Sequence, residues 1–366
     1  MSLPPHVTPR KVPYFRLQIA QAFAALTKTE RLYAHHLNTA CWHGASMCAA
    51  QVSAESPAIL KLFFTLFSNN SVAQLREATA GKVEQDDFDR FVEYAALFYA
   101  NLGNYKSFGD SKFIPACTPD VFSAIVAAAP NATADVASQY EGVAKAIYSH
   151  EEGELALGFE PKGRTSYYSP GITKEEVEKV DEYLKAQRIE QWNTRVWKVA
   201  DKHFEVRIPC ATVRRDEREH DGVRITLAYG DHAENFARMI ESLEKALEFA
   251  ANKEQKAMIA AYMKHFSSGS IDDHKQSQVE WVKDKGPAVE TNMGFIETYR
   301  DPMGVRAEWE GFVAVVDKEQ SKRYGELVAR GVDFVAQLPW GKAFEKETFS
   351  HPDFTSLEVL GFASSG

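Results

Sequence analysis

The sequence predicts an α+β protein, helical in its first half and mixed in its second. Three observations carry this reading. Apolar residues recur at 3-and-4 spacing up to about Arg188. Short runs rich in Val, Ile, Thr and aromatics begin only at Thr194. Those runs then follow one another instead of alternating with helices, which argues against βαβ units.

Taken in order, Thr29 precedes Glu30-Arg-Leu-Tyr-Ala-His-His and marks a helix running to about Gln51. Pro57 to Phe67 is a strongly apolar helix. Gln85 to Leu102 places Phe88, Phe91, Tyr94, Ala95 and Phe98 on one helical face, and Gly103 supplies a stop. Thr118-Pro119-Asp120 gives a cap, an N1 proline and an acid to the next helix. Thr173-Lys-Glu-Glu176 is a capping box for a helix reaching about Arg188. Thr194 to Val199, Phe204 to Val213 and Val223 to Tyr229 read as strands. Helices over His232 to Ala251 and Glu254 to Phe266 follow, then a hairpin, a helix from about Lys318 to Leu338 and a strand-like run from Thr355 to Phe362.

A chain of 366 residues buries roughly three quarters of its unfolded surface, enough for one to three domains. Its composition, 45% apolar and 25% charged, is that of an ordinary soluble protein. The net charge of −9 is interspersed along the chain, which argues against a nucleic-acid partner and against an acidic interaction tail. Cys41, Cys48, Cys117 and Cys210 have no paired metal-ligand spacing and point to a reducing compartment. Cys41 and Cys48, two helical turns apart, line one apolar face as small hydrophobes. The start, Met1-Ser-Leu-Pro-Pro-His6, lacks a signal pattern, and no apolar run has the length of a membrane span. The expectation is a cytoplasmic protein with no membrane partner.

Most chemical motifs are absent. There is no phosphate-cradling glycine loop, no dinucleotide fingerprint and no nucleophile elbow. His35 and His36 point apart on a helix, while His36 and His43 share a face without a carboxylate to complete a site. Ser149-His-Glu-Glu-Gly-Glu154 begins like a zinc helix but has Glu154 where the second histidine belongs. A zinc site needs three protein ligands and this stretch offers at most two, so no metal ligands are assigned. It reads as a solvated acidic helix end.

The hairpin is the richest segment. In Gly294-Phe-Ile-Glu-Thr-Tyr-Arg-Asp-Pro302, strand alternation points Met293, Phe295, Glu297 and Tyr299 one way. Asp301-Pro302-Met303-Gly304 has the pattern of a type I turn. The return strand, Arg306 to Val316, puts Glu308 and Glu310 on one face with Phe312 and Ala314. Three acids and a tyrosine make a site suited to a cation. The plain alternative is a strand emerging into water, with Arg300 or Arg306 pairing with these glutamates at little energetic gain. Asn104-Tyr-Lys-Ser-Phe-Gly-Asp110 is a second motif, in which Phe108 either stacks on a ligand or folds back into the core. Trp42, Trp192 and Trp281 read as core.

Gly294 to Pro302, with Glu308-Trp-Glu-Gly-Phe-Val-Ala-Val-Val316, resembles a segment of the dipeptidyl peptidase III family. So do Asn104 to Asp110, Thr29 to Tyr33, Asn193 to Arg195, Asp284 to Pro287 and Asp353 to Leu357, in family order and across almost the whole chain. The resemblance implies a zinc-dependent, mostly cytosolic exopeptidase that releases dipeptides from the N-termini of short peptides. It implies two lobes around a cleft, with a small mixed, five-stranded β-barrel in the lower lobe. Glu297 would then bind the α-ammonium of the substrate, and Tyr299 would be catalytic, its phenol facing the scissile carbonyl or oxyanion. Such a donor contributes about 2.7–4 kcal/mol. Phe108 and Glu310, and secondarily Glu308, would line the nonprimed subsites. Thr298 stands where the family has Ser, adding a methyl beside the backbone that contacts substrate.

The family's zinc motifs, His-Glu-Leu-Leu-Gly-His and Glu-Glu-Cys-x-Ala-Glu, do not occur in the sequence. By the resemblance, residues 1–317 form the lower, substrate-binding lobe, 318–354 the beginning of a helical upper lobe, and 355–366 a return strand to the lower lobe. A helix from Lys318 with no lobe over it should expose apolar surface. The expectation is an N-terminal, peptide-holding half that binds no zinc and is inactive without the missing C-terminal half. The alternatives are a non-catalytic peptide-binding protein from a truncated gene and a fragment that does not fold independently.

Overall fold

A reciprocal cap decides where the first long helix begins. The Thr27 hydroxyl accepts from the Glu30 amide at 3.2 Å while Glu30 accepts from the Thr27 amide at 2.7 Å, satisfying two donors that a helix start leaves open. The Lys28–Val52 helix is therefore capped by Thr27, two residues ahead of the predicted Thr29. The computed structural model describes residues 5–12, 17–131, 135–345, 350 and 354–364. Part of the N-terminal hexapeptide, Asp353 of the last family-like segment and the final two residues lie outside them.

Three apolar clusters organise the chain. One is helical: Ser56–Asn69, Gln85–Asn101, Pro119–Ala128 and Asp135–Tyr148 close around Phe63, Phe91, Tyr94, Phe98 and Phe122. Phe91 meets Phe122 edge-on at 4.8 Å, a favoured geometry for paired rings. The Gln85–Asn101 helix stops on a left-handed Leu102, φ 46°. Gly103, the predicted stop, closes the helix end through its amide to Phe98 O at 3.1 Å. It is also a packing position, since a Cβ there would stand 2.3 Å from Val52 Cγ1.

The second cluster holds a four-stranded sheet and the Lys174–Ala186 helix, which carries the predicted capping box at Thr173. Its strands are β1 (Arg195–Ala200), β2 (His203–Pro209), β3 (Arg214–His220) and β4 (Val223–Asp231), in the order β1-β2-β4-β3. Only β2 and β4 run parallel. The predicted Phe204 to Val213 strand ends early at Pro209, because Ala211 N turns away to Phe266 O at 2.8 Å. Strand β3, Arg-Arg-Asp-Glu-Arg-Glu-His, was not predicted. It has no apolar alternation and pairs with β4 along one edge, with Arg214 over the Tyr229 ring and Arg215 bonded to Glu205 at 2.7 Å, where its charges discourage further strands.

The third cluster joins the Lys28–Val52 helix, the Ala233–Glu248 and Lys253–Ser268 helices and a three-stranded antiparallel sheet. That sheet is β5 (Val289–Glu297), β6 (Glu308–Val316) and β7 (Leu357–Phe362), in sequence order. Gly44 lets the helix approach it, since a Cβ there would come within 2.1 Å of the Trp309 ring.

The protein is thus α+β, but among the described residues the strands form two open sheets and not a closed barrel. The free side of β1 is capped by the chain at Tyr167–Ser169, through Val196 N to Tyr167 O at 2.8 Å and Ser169 N to Val196 O at 3.0 Å. The Lys318–Ala329 and Gly331–Val335 helices contain no buried residue, and Leu327, Val332 and Phe344 are exposed apolar side chains. This matches the surface expected from Lys318 onward. No helix among the described residues is long and apolar enough to cross a membrane.

Candidate functional site

The hairpin tip is fixed from below before it carries any chemistry. Gly304 N closes the predicted turn onto Asp301 O at 2.8 Å. The Asp301 carboxylate accepts from the amides of Met303, Val305 and Arg306 at 2.8–3.0 Å and from the Tyr168 hydroxyl at 2.6 Å. Arg306, fully buried, pairs with Asp181 at 2.7 Å and donates to Thr194 Oγ1 at 3.0 Å. It does not reach the hairpin glutamates.

A β-bulge then re-aims the acidic group. Phe295 pairs with Trp309, but the next register pair is Glu297 with Glu308. Phe295 and Trp309 lie in the core, so unbroken alternation would drive Glu297 inward beside them. The extra residue turns Glu297 outward onto the Glu308–Glu310 face, and it is exposed. The predicted grouping of Met293, Phe295, Glu297 and Tyr299 on one face is corrected accordingly. Gly294, opposite Glu310 at φ 150°, is packed so closely on His274 that a Cβ would lie 2.7 Å from its ring.

The three glutamates sit in different environments. Glu308 is fully buried, with Oε2 2.7 Å from Arg300 Nε and Oε1 accepting from the Cys48 thiol at 3.0 Å. The expected pairing of Arg300 with a hairpin glutamate is present here, in the interior and not at the surface. Glu310 is half-buried. Burial, then the neighbouring Glu308 and Glu297, push its carboxyl up to about 7. Thr298 is half-buried, and its carbonyl accepts from Asp301 N at 3.3 Å.

The loop 104–110 completes the group. Asn104 is buried, its side chain bonded to Ser53, Ser56 and Glu55. Tyr105 anchors the loop through its hydroxyl to Glu154 O at 2.7 Å. Gly109 and Asp110 both take positive φ, 96° and 50°, which turns the chain sharply after Phe108. Phe108 is 82% exposed and does not fold into the core. Its ring stacks on Tyr299, with centroids 6.1 Å apart and planes 14° from parallel. The structure therefore brings Phe108, Glu297, Tyr299 and Glu310 to one edge and sets Glu308 beneath it.

The other sequence candidates fall elsewhere. Trp42 and Trp192, expected in the core, are partly exposed; Trp309 is the core tryptophan. Cys41 and Cys48 are buried on one helix face as expected. His265 and His274 were not singled out by sequence, yet both rings are buried 5.2 Å apart, and burial pushes them down to about 3 and about 4. No group of three or more His, Cys, Asp or Glu suited to a metal ion occurs among the described residues.

The sequence profile of peptidase family M49 matches residues 139–366. Dipeptidyl peptidase 3 of Dictyostelium discoideum is 43% identical over 365 residues, covering 99% of this chain and 52% of that protein. Dipeptidyl peptidase 3 of Homo sapiens is 37% identical over 380 residues, again covering 99% of this chain and 52% of the relative. The chain thus spans about half the length of the curated relatives it matches. Among solved structures, DPP III from Caldithrix abyssi superposes with a TM-score of 0.53 at 17% identity, covering 93% of this chain and 50% of that one. At that identity the likeness is one of fold.

Proposed function

The chain belongs to peptidase family M49, and from that premise we propose that the β5–β6 hairpin and the loop 104–110 form an edge that receives the free N-terminus of a short peptide for dipeptide release. The observation that carries the proposal is the stacking of Phe108 on Tyr299 beside two carboxylates, Glu297 and Glu310. Residues far apart in sequence meet there, and each has a use in holding a peptide end.

In this reading Glu297, exposed at the bulge, pairs with the α-ammonium. Glu310 stands beside it as a second acceptor whose proton leaves when a cation arrives, since an opposite charge favours the ionised carboxyl. The Tyr299 phenol donates to the carbonyl oxygen next to the scissile bond, where negative charge develops. Phe108 gives an exposed ring face to the first side chains, and Thr298 sets the backbone between Glu297 and Tyr299. Glu308 serves from below, through Arg300.

Zinc, the metal that the resemblance implies, finds no fitting set of ligands among the described residues. The roles of these residues are accordingly to bind and orient. Residues 1–317 form the substrate-binding lobe and 318–354 begin a second. The pairing of β7 with β6 supports a return of residues 355–366 to the first lobe. Four buried free cysteines accord with a reducing, cytoplasmic setting.

Titration calorimetry of the purified chain with a tetrapeptide and its N-acetylated form tests the proposal. The free amine should bind, while acetylation or Glu297→Ala should abolish binding. Equal affinity for both peptides overturns the assignment. Zinc analysis and dipeptide release, measured on the same sample, separate a binding role alone from catalysis.

A further inference from the structure

Beneath the peptide edge, a relay of buried polar groups joins the hairpin to the loop that carries Phe108. The side chains of Arg300 and Glu308 are fully buried. Glu308 holds the guanidinium at Nε, and Cys48 donates to the far oxygen of Glu308. From Arg300 the relay runs outward: Nη2 donates to Ser107 Oγ at 3.0 Å, the Ser107 hydroxyl donates to Asn101 Oδ1 at 3.1 Å, and Asn101 Nδ2 donates to Leu97 O at 2.8 Å. Its direction is fixed by chemistry. A guanidinium cannot accept, so the serine hydroxyl must accept from it and pass its own proton on. The Ser107 amide also donates to Asn101 Oδ1, at 2.8 Å.

The two ends of this relay adjoin the stacked rings in sequence, with Ser107 before Phe108 and Arg300 after Tyr299. Phe108 has little apolar packing to hold it, being 82% exposed ahead of a glycine at φ 96°. An exposed ring in such a loop keeps its orientation only if the backbone behind it is pinned. The fork of Arg300 is suited to that task, because it reaches Glu308 and Ser107 at once, where a lysine ammonium on a flexible stem lacks the planar, paired geometry.

We propose that Arg300, held by Glu308 and Cys48, is a positioning residue that fixes Phe108 against Tyr299 through the hydroxyl of Ser107. The significance of that position rests on the peptide-binding reading above; the tie itself does not. Glu308 then acts on the loop through Arg300.

The test uses Ser107→Ala and Arg300→Lys, which cut the same hydrogen bond from opposite sides. Phe108→Trp supplies the reporter. With fluorotryptophan incorporated, it adds a seventh ¹⁹F resonance to those of the six native tryptophans. In Ser107→Ala that resonance should narrow and move toward the free amino acid while the chain stays folded, its melt lowered only by the loss of one buried hydrogen bond. Tetrapeptide affinity should fall about tenfold, the scale of a hydrogen bond to a charged group. The double variant should be no worse than the more affected single one, as expected of two residues acting through one contact. An unchanged resonance in folded Ser107→Ala overturns the proposal, as does full additivity of the two changes. If Arg300→Lys fails to fold, Ser107→Ala decides alone. If the wild-type chain binds no peptide, the functional reading falls while the resonance still decides the tie.

Discussion

Glu310 and Glu297 share one face of the β5–β6 hairpin, and burial together with Glu308 and Glu297 holds the Glu310 carboxyl near 7. A carboxyl raised this far is partly protonated at neutrality, so a cation that docks beside it should release a fraction of a proton. Calorimetry in buffers of different ionisation heats should therefore show proton release on peptide binding between pH 6 and 7.5. Affinity should rise with pH through about 7 and fall again as the peptide's amine titrates near 8. Glu310→Gln should remove the acidic limb; a bell that survives in that variant rules Glu310 out as its source.

The same shift has a consequence for stability, with the opposite sign from an ion-paired acid. The folded protein binds the Glu310 proton more tightly than the unfolded chain does, so this group's contribution falls as pH rises from about 4.5 through 7. Glu310→Gln should match wild type near pH 4 and exceed it at pH 8 by on the order of 1 kcal/mol after solvent screening. Urea titrations at the two pH values check this, and equal differences at both would contradict it.

Arg300 and Glu308 form a pair without water around it. Glu308→Gln should cost about 3–5 kcal/mol, because it leaves a buried guanidinium without its counter-charge. Denaturant midpoints measure this, and a loss below 1 kcal/mol would place the pair in a wetter setting than its burial indicates.

Tyr299→Phe keeps a ring to stack on Phe108 and removes only the hydroxyl. Peptide affinity should stay within about threefold while dipeptide release, in a preparation that shows it, falls about a hundredfold, the effect of one lost oxyanion donor. Parallel losses in binding and turnover would make Tyr299 a binding residue only.

Gly44→Ala tests how the long helix meets the sheet. Its Cβ would arrive 2.1 Å from the Trp309 ring, so helix or tryptophan must shift at about 1–3 kcal/mol. An unchanged melting temperature would show that the contact yields freely.

Much of the fold could be read because helix ends announce themselves chemically. The capping box at Thr173 and the Thr118-Pro119 start are local signals, and both helices begin there. Strand β3 has no comparable signal, since its charged residues show no alternation and find partners, Tyr229 for Arg214 and Glu205 for Arg215, only once the sheet is assembled. At the site, alternation identified Glu297 and Glu310 but assumed an unbroken pleat, so it put Glu297 on the wrong face. That Arg300 lies inside, neutralised by Glu308, depends on a helix and a loop distant in sequence. The stacking of Phe108 on Tyr299 is likewise a long-range contact that neither segment specifies alone.

The bulge after Phe295 makes the address of Glu297 a matter of counting. Were Ile296 to take the place opposite Glu308, the pleat would be unbroken and the same glutamate would face Trp309 and Phe236 in the interior; deleting Ile296 leaves Glu297 opposite Glu308 and keeps it outside. Substitutions in this arm can vary the chemistry of the edge, whereas the pairing chosen at this one step decides which side Glu297 presents. The hairpin is thus permissive in its letters and strict in its register, and removal of the extra residue Ile296 should leave Glu297 on the outer face.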